Sequence, residues 1–440
     1  MNNQVIQLCP PKFKVDEKNP FDKDLFKRKE LASQLTGYID RLRDGAVIAI
    51  DAPWGEGKSW FGRNWAADLK SQGYRVVYLD AFQHDYVEDP FLLIASEFND
   101  VITTDDKLGE NLKQKAAKVM KAILPLGTKI LLNVAGRLAL GTVDASKEVQ
   151  EAIESAGDNS ADAAQKWLEN KIESHNEEKR TLESFRETLQ EFCETQDKPV
   201  VFFIDELDRC RPVFAVKLIE RLKHFFDVPN LVFVLLLNKD QLEKAIEGNY
   251  GVGIDASAYL EKFIHLNLRL PKNIDTDSEQ QNANWKYLNN LAGHYKFQQT
   301  QELGQFINSL SLLASITGMS LRELERGMTL LALNGVGNSA TYLAWPIVLK
   351  LKYPKIYEGI LIKDISAHKD AVELLQAMNA SEYCNFWIKK YFLPYHIVQA
   401  YGESKLTEEQ ANDFIKYKPN VIYHDDPMLY WLKRLDVVQD

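Results

Sequence analysis

The chain has 440 residues, 45% hydrophobic and 26% charged, so we expect a folded globular protein with two or three domains. Its 53 Lys and Arg against 63 Asp and Glu give a formal net charge of −10, which excludes a broad basic surface for nucleic acid. The four cysteines are scattered and the N-terminus lacks the order of a secretory signal, so we expect no disulfide framework, no zinc site and a cytoplasmic location.

The first predicted elements are a helix over residues 24–43 and a short buried strand over residues 47–50. A glycine-flanked Lys58-Ser59 pair follows, which is typical of a phosphate-binding loop. The glycines let backbone N–H groups surround the phosphates, the lysine reaches the β- and γ-oxygens and the hydroxyl ligates Mg²⁺. The candidate nucleotide-binding residues of the loop are Pro53, Trp54, Gly55, Glu56, Gly57, Lys58, Ser59 and Trp60.

One position departs from the pattern G-x-x-x-x-G-K-[ST], because Ala52 stands where its first glycine is expected. Taken alone, the loop is therefore also compatible with a strand, turn and helix that contain Gly-Lys-Ser by chance. The helix predicted after the loop, over residues 60–69, would aim its positive N-terminal end at a bound anion.

A second strand is predicted over residues 75–82, and Asp89-Pro90 is typical of a helix start. Residues 105–197 form a long insertion, within which residues 123–143 are apolar enough to suggest a membrane span. Lys129, Asn133 and Arg137 recur there every four residues and so line one helix face. Because each cation would cost about 2.5–3.5 kcal/mol near the bilayer centre, we favour an amphipathic or protein-buried helix over membrane attachment.

Five apolar residues, 200–204, precede Asp205-Glu206 and are typical of a central parallel strand. Acids at the carboxyl end of such a strand face the ligand crevice of an open α/β sheet. Asp205 is therefore the candidate Mg²⁺-binding acid opposite Ser59, and Glu206 is the candidate that polarises the attacking water. In isolation the pair also fits an acidic strand-to-helix turn, but after a phosphate loop it predicts a nucleoside triphosphatase site.

Two more strands are predicted, over residues 231–237 and 263–270. Asn238 follows the first of them and is a candidate catalytic residue that touches the γ-phosphate or orients the water; an ordinary strand-end turn former is the equal alternative. Five strands with helical crossovers predict an α/β fold, a parallel sheet covered by helices on both faces.

The sequence from residue 273 onward is predominantly helical. Ser320 and Glu323 form a capping-box pattern, and Arg322 on the same helix is a candidate to reach the nucleotide phosphates; simple solvent exposure is the alternative. The aromatic residues of the C-terminal tail recur at helical spacing with few basic neighbours. We therefore expect them in a core or interface and see no strong sign of nucleic-acid binding.

The combined pattern resembles the KAP family of P-loop NTPases. The resemblance lies in WGEGKS (54–59), VVYLDAFQHDYVEDP (76–90), IDELDRCRP (204–212), LVFVLLLNKDQL (231–242), YLEKFI (259–264) and SLRELERGM (320–328). It implies Lys58 and Ser59 as phosphate and Mg²⁺ ligands of the Walker A loop, with Lys58 also catalytic. It further implies Asp205 as the Walker B acid, Glu206 as the catalytic acid position and Arg322 as the arginine of the helical segment.

The predicted organisation is a P-loop NTPase sheet with a helical insertion between Walker A and Walker B and a C-terminal all-helical domain. Its parts are residues 1–104 with Walker A, the insertion 105–197, residues 198–272 with Walker B and the sensor strand, and the helical domain 273–440. Many KAP proteins have Asp-Asp in place of Asp205-Glu206, and many carry transmembrane helices between the Walker motifs.

Two functions stay open from the sequence. The first is a Mg²⁺-dependent ATP-hydrolysing switch, in which a homo-oligomer supplies Arg209 or Arg211 as an arginine finger between neighbours. The second is a scaffold that holds nucleotide with little hydrolysis until a partner, expected to be encoded nearby, activates it. The family resemblance implies a setting in bacterial anti-phage defence.

Overall fold

A computed structural model describes residues 14–87, 89–104, 110, 113–114, 180, 182–271, 283–335, 340–379, 388–417 and 426–436. Residues 123–143, for which we favour an amphipathic or buried helix, lie outside the described residues together with most of the insertion. The four-part division of the chain therefore stays a prediction. Within the described ranges no helix has the length and apolar character needed to cross a membrane.

In the part of the chain that the structure describes, the sheet has five strands: β1 (Ala46–Asp51), β2 (Val76–Asp80), β3 (Val200–Asp205), β4 (Leu231–Leu237) and β5 (Leu266–Arg269). All neighbours pair in parallel, in the order β2-β3-β4-β1-β5, which confirms the predicted parallel sheet. Every residue of β3 and β4 is buried, as their uninterrupted apolar runs predict. The phosphate-loop strand β1 and the acid-bearing strand β3 are thus separated by one strand, β4.

The fifth strand is shorter than predicted, since it spans Leu266–Arg269 rather than residues 263–270. Phe263 still belongs to the preceding turn, where its N–H donates to the Leu260 carbonyl. The Val47 N–H donates to the ring Nδ1 of His265 at 2.9 Å, so a side chain takes the place of a strand-to-strand bond just before β5 begins. The alternation of exposed and half-buried residues in β5 fits its place at the sheet edge.

Helices cover both faces of the sheet: α1 (Arg28–Ile39), α2 (Lys58–Ser71), α3 (Pro90–Thr104), α4 (residues 182–194), α5 (Pro212–Leu222), α6 (Lys239–Tyr250) and α7 (Ala256–Leu260). α1 and α2 share one core with alternate residues of β1, while α3 to α7 pack against the other face. α1 begins later than the predicted residue 24, because Lys27 adopts a left-handed φ of 53°. The Asp24 carboxylate accepts the Lys29 N–H at 2.8 Å within this turn.

The second half of the fold is helical: α8 (Ala283–His294), α9 (Gln301–Thr317), α10 (Leu321–Asn334), α11 (Ala344–Lys352), α12 (Pro354–Leu361), α13 (Ile365–Asn379), α14 (Leu393–Tyr401), α15 (Glu408–Tyr417) and α16 (Pro427–Leu435). Tyr391, Tyr395 and Trp431 are buried in the core of these helices, which confirms for these three residues the packing role predicted for the aromatic tail. Phe26, which precedes α1, belongs to the same core and so links the two halves.

Candidate functional site

The predicted phosphate loop connects β1 to α2. Gly55 and Gly57 have φ values of 87° and 80°, a conformation that glycine adopts at little cost and that lets the loop turn tightly. α2 begins at Lys58, so the positive end of this helix lies at the loop, as an anion site requires.

The Lys58 ammonium is buried inside the loop. Its Nζ donates to the carbonyl oxygens of Ala52 at 2.6 Å and Pro53 at 3.2 Å. Burial lowers the pKa of Lys58, an effect opposed by nearby acids, foremost Asp208 and Asp205. Because Ala52 contributes its main chain to this contact, its departure from the glycine of the motif leaves the contact intact.

The phosphate loop and the acids that end β3 meet in space. Ser59 Oγ lies 3.5 Å from Glu206 Oε1, although the two residues are 147 positions apart. Asp205 is buried beside them, where its Oδ2 accepts the Tyr78 hydroxyl at 2.8 Å and its Oδ1 accepts the Glu206 N–H at 2.9 Å. Burial raises the pKa of the Asp205 carboxyl, and hydrogen bonds from Tyr78 and Ser59 oppose that rise.

Glu206 is held by an ion pair within its own loop. It has a left-handed φ of 59°, and its Oε2 accepts from Arg209 Nη1 at 2.9 Å. Burial raises the pKa of Glu206, and the positive charge of Arg209 opposes the rise. Arg211 contacts Asp85, whose Oδ2 accepts the Arg211 N–H at 3.1 Å and whose carbonyl accepts from the guanidinium. Both candidate arginine fingers are thus engaged inside the chain, and their role between neighbours stays a prediction.

Ser59 and Asp205 together offer a hydroxyl and a carboxylate oxygen, the kind of ligand that Mg²⁺ prefers. Among the described residues no group of three or more His, Cys, Asp and Glu side chains is arranged to hold a metal by itself. A Mg²⁺ ion bound through one or two protein oxygens completes its shell with phosphates and water. The donor set therefore fits a cation that arrives with a nucleotide.

The helical half of the protein touches the phosphate loop at the start of α10. The predicted capping box is present, since Ser320 and Glu323 each accept the other's backbone N–H, which confirms this helix start. The Arg322 N–H donates to the Gly55 carbonyl at 3.3 Å. The Arg322 side chain is exposed, so the structure shows its main chain on the loop and leaves the phosphate contact of its guanidinium a prediction.

The other predicted site residues lie around this centre. Asn238, at the tip of β4, accepts the Gln241 N–H at 3.4 Å and so caps α6; its catalytic role stays a prediction. The indole N–H of Trp54 donates to the Asp208 carboxylate, which ties the loop to the turn after β3. Trp60 packs edge-on against Phe21, with ring centroids 5.7 Å apart, on the helix side of the loop.

Arg28, the first residue of α1, also belongs to the site, although no motif in the sequence predicts it. Its guanidinium is buried and donates to the loop carbonyls of Glu56 at 2.8 Å and Gly57 at 3.3 Å. Burial lowers the pKa of Arg28 to about 10, and the charge of Glu56 opposes this fall. The available clue was periodicity, because Arg28 shares the helix face of the buried residues Ala32, Leu35 and Ile39.

The sheet, the glycine loop and the acids at the end of β3 define a P-loop NTPase fold. The model of the family described as "KAP family P-loop domain" matches residues 28–335, and the chain belongs to this family. Among solved structures, the chain is similar to the Aeropyrum pernix ORC2 protein in ADPNP-ADP complexes, with 11% identity, coverage of 100% of this chain and 89% of that chain, and a TM-score of 0.34. It is also similar to AMPPCP-bound DnaA from Aquifex aeolicus, with 11% identity, coverage of 88% of this chain and 85% of that chain, and a TM-score of 0.28. No curated protein matches the chain.

Proposed function

We propose that this protein is a Mg²⁺-dependent ATP-hydrolysing switch that couples ATP to self-assembly or to the control of a partner protein. The observation that carries the proposal is the 3.5 Å approach of Ser59 to Glu206, which brings the phosphate loop and the candidate base to one point. Catalysis of phosphoryl transfer depends mainly on such positioning and on charge stabilisation. The buried Asp205 beside them supplies the metal-binding oxygen.

Each residue has a defined task in this proposal. Lys58 exchanges its contacts with the Ala52 and Pro53 carbonyls for phosphate oxygens when ATP enters the loop. Ser59 and Asp205 would hold Mg²⁺, which would supply positive charge to neutralise the phosphates. Glu206 then accepts a hydrogen bond from the attacking water and orients it toward the γ-phosphate.

The contact between α10 and the loop supports a switch. Gly55 has so little free space that an added Cβ would lie 2.7 Å from Arg322 Cβ, and the Arg322 N–H donates to its carbonyl. A rearrangement of the loop around phosphates would therefore displace the start of α10. Packed elements with two discrete arrangements can carry such a shift to a distant surface.

A nucleotide-holding scaffold with little hydrolysis is the second candidate. It is favoured by the ion pair of Arg209 with Glu206, which occupies one oxygen of the candidate base. In that version a partner protein, which we expect to be encoded beside this gene, must separate Arg209 from Glu206 before hydrolysis begins. In a homo-oligomer, a second copy of the chain would take the place of that partner. Anti-phage defence as the biological setting rests on the family resemblance alone.

The test is phosphate release from Mg-ATP across a range of protein concentrations, combined with nucleotide binding. Lys58→Ala should abolish binding and Glu206→Gln should bind without turnover, whereas Lys70→Ala, an exposed lysine of the same helix, should match the wild type. Turnover that rises more than linearly with protein concentration supports assembly. Binding without turnover at any concentration favours the scaffold, and absence of nucleotide binding by the wild type would overturn both versions.

A further inference from the structure

Tyr78 lies in the sheet next to the strand that carries the metal-binding acid. β2 pairs with β3 in a register that sets Tyr78 opposite Phe203 and Asp80 opposite Asp205. The ring of Tyr78 stacks on Phe203, with centroids 5.6 Å apart and planes at 20°. Because alternate residues of a strand share a face, Phe203 and Asp205 are on the same side of β3, and the Tyr78 ring points along it toward Asp205.

The Tyr78 hydroxyl completes the set of donors that hold Asp205. It donates to Oδ2 at 2.8 Å, while the Glu206 N–H donates to Oδ1 at 2.9 Å. Ser59 is a third donor to this carboxylate. The two oxygens have four acceptor positions in all, so at least one stays available for another ligand. Two donors on opposite oxygens fix the rotation of the carboxylate and thereby decide where the remaining positions point.

Tyr78 is itself tied to the helix that carries Ser59. Arg63, one turn further along α2 than Ser59, places its guanidinium carbon 5.7 Å from the Tyr78 ring centroid. The same guanidinium lies 3.6 Å from the Asp80 carboxylate of β2. Arg63 thus connects the helix of the hydroxyl ligand to the strand that orients the carboxylate ligand.

We propose that Tyr78 is a positioning residue for Asp205, whose hydroxyl sets the carboxylate in the orientation that binds a divalent cation together with the nucleotide. The inference rests on the proposed function and extends it by one residue outside the Walker motifs. Hydrogen-bond partners of metal ligands commonly contribute about 10–100-fold to metal affinity. The hydroxyl should therefore affect the gain in nucleotide affinity that Mg²⁺ provides and leave the metal-free affinity unchanged.

The experiment measures the dissociation constant of a fluorescent ADP analogue for the full chain, once in EDTA and once in Mg²⁺. The ratio of the two constants is the metal gain. Tyr78→Phe removes only the hydroxyl, and Asp205→Asn gives the ratio expected without the metal acid. Tyr74→Phe is the matched control, since Tyr74 also donates to an aspartate, Asp40, just before β2 and away from the loop.

We expect Tyr78→Phe to lower the metal gain about tenfold, with an unchanged constant in EDTA, and Tyr74→Phe to retain the wild-type ratio. An unaltered ratio in Tyr78→Phe would overturn the inference and leave the proposed function standing. If Tyr78→Phe lost nucleotide affinity equally in EDTA and in Mg²⁺, this would also overturn the inference, because it would indicate a general packing role for Tyr78. A wild-type protein that binds nucleotide with no metal gain would instead refute the metal site itself. Thermal unfolding of both tyrosine variants checks that each is folded.

Discussion

Replacing Gly55 with alanine should weaken the junction between the phosphate loop and α10. The residue has a φ of 87°, and a Cβ there would lie 2.7 Å from Arg322 Cβ and 3.1 Å from Ser320 Oγ. A left-handed backbone costs a residue other than glycine about 1–2 kcal/mol. Overpacking of a tight contact adds about 1–3 kcal/mol. The variant should therefore lose about 2–5 kcal/mol of unfolding free energy.

Gly73→Ala separates the two contributions. Gly73 has nearly the same φ, 86°, but apart from its chain neighbours no heavy atom of the residues that the structure describes lies within 4 Å of a Cβ built there. Gly73→Ala should therefore lose only the backbone contribution to the unfolding free energy, about 1–2 kcal/mol. The assay is urea unfolding without nucleotide, in which the shift of the midpoint multiplied by the common slope gives the free-energy change. The difference between the losses of unfolding free energy in Gly55→Ala and Gly73→Ala measures how closely α10 approaches the phosphate loop.

Removing the opposing atom should restore part of the loss. Arg322→Gly deletes the Cβ that Gly55→Ala would meet, so the double variant should lose less than the sum of the single variants. Independent substitutions usually add within about 0.3–0.5 kcal/mol, so a coupling of about 1 kcal/mol or more would establish the contact. Equal costs at Gly55 and Gly73 with an additive double variant would refute the packing of α10 on the loop.

Three further substitutions test other features. Burial lowers the pKa of His396 well below its ordinary 6.5, so only the unfolded chain takes up this proton near that pH. The unfolding free energy should therefore fall by up to about 1.4 kcal/mol per unit as the pH drops below 6.5, and His396→Gln should flatten this dependence in urea titrations; an unchanged slope would contradict the assignment. Ser320→Ala should lower the urea midpoint by the equivalent of about 0.5–2 kcal/mol, because α10 loses its cap; a wild-type midpoint would argue against the capping box. Arg28→Met should weaken nucleotide binding about tenfold, since two loop carbonyls lose a charged donor. Arg41→Met, just past the other end of α1, is its control, and equal affinities of the two variants would refute a role for Arg28.

The parts of the site that the sequence predicts are short and continuous. The loop from Gly55 to Ser59 is recognisable because its conformation needs two glycines two positions apart and its chemistry needs a lysine and a hydroxyl directly after them. Asp205 and Glu206 are recognisable because a buried apolar strand ends at them. The same holds for the capping box of α10, whose two partners are three residues apart.

The parts that the sequence did not predict depend on residues far apart in the chain. Arg28 contacts a carbonyl 28 positions away, and Tyr78 contacts Asp205 over 127 positions. Neither pairing has a local pattern, since any buried arginine or strand tyrosine looks alike in sequence. The late start of the fifth strand has a similar origin, because the His265 ring accepts the Val47 N–H that a carbonyl of the strand would otherwise accept.

The order of the strands in the sheet also determines when the phosphate loop can form during synthesis. The two neighbours of β1 in the sheet are β4 and β5, and β4 begins about 180 residues after β1 ends. At about 5–20 residues per second, a ribosome needs roughly 10–40 s to make that stretch. During this time the apolar strand Ala46–Asp51 has unsatisfied edges that chaperones or other chains can bind. A product that stops before Leu231 would therefore contain the whole loop sequence and still lack the strand that holds it in place.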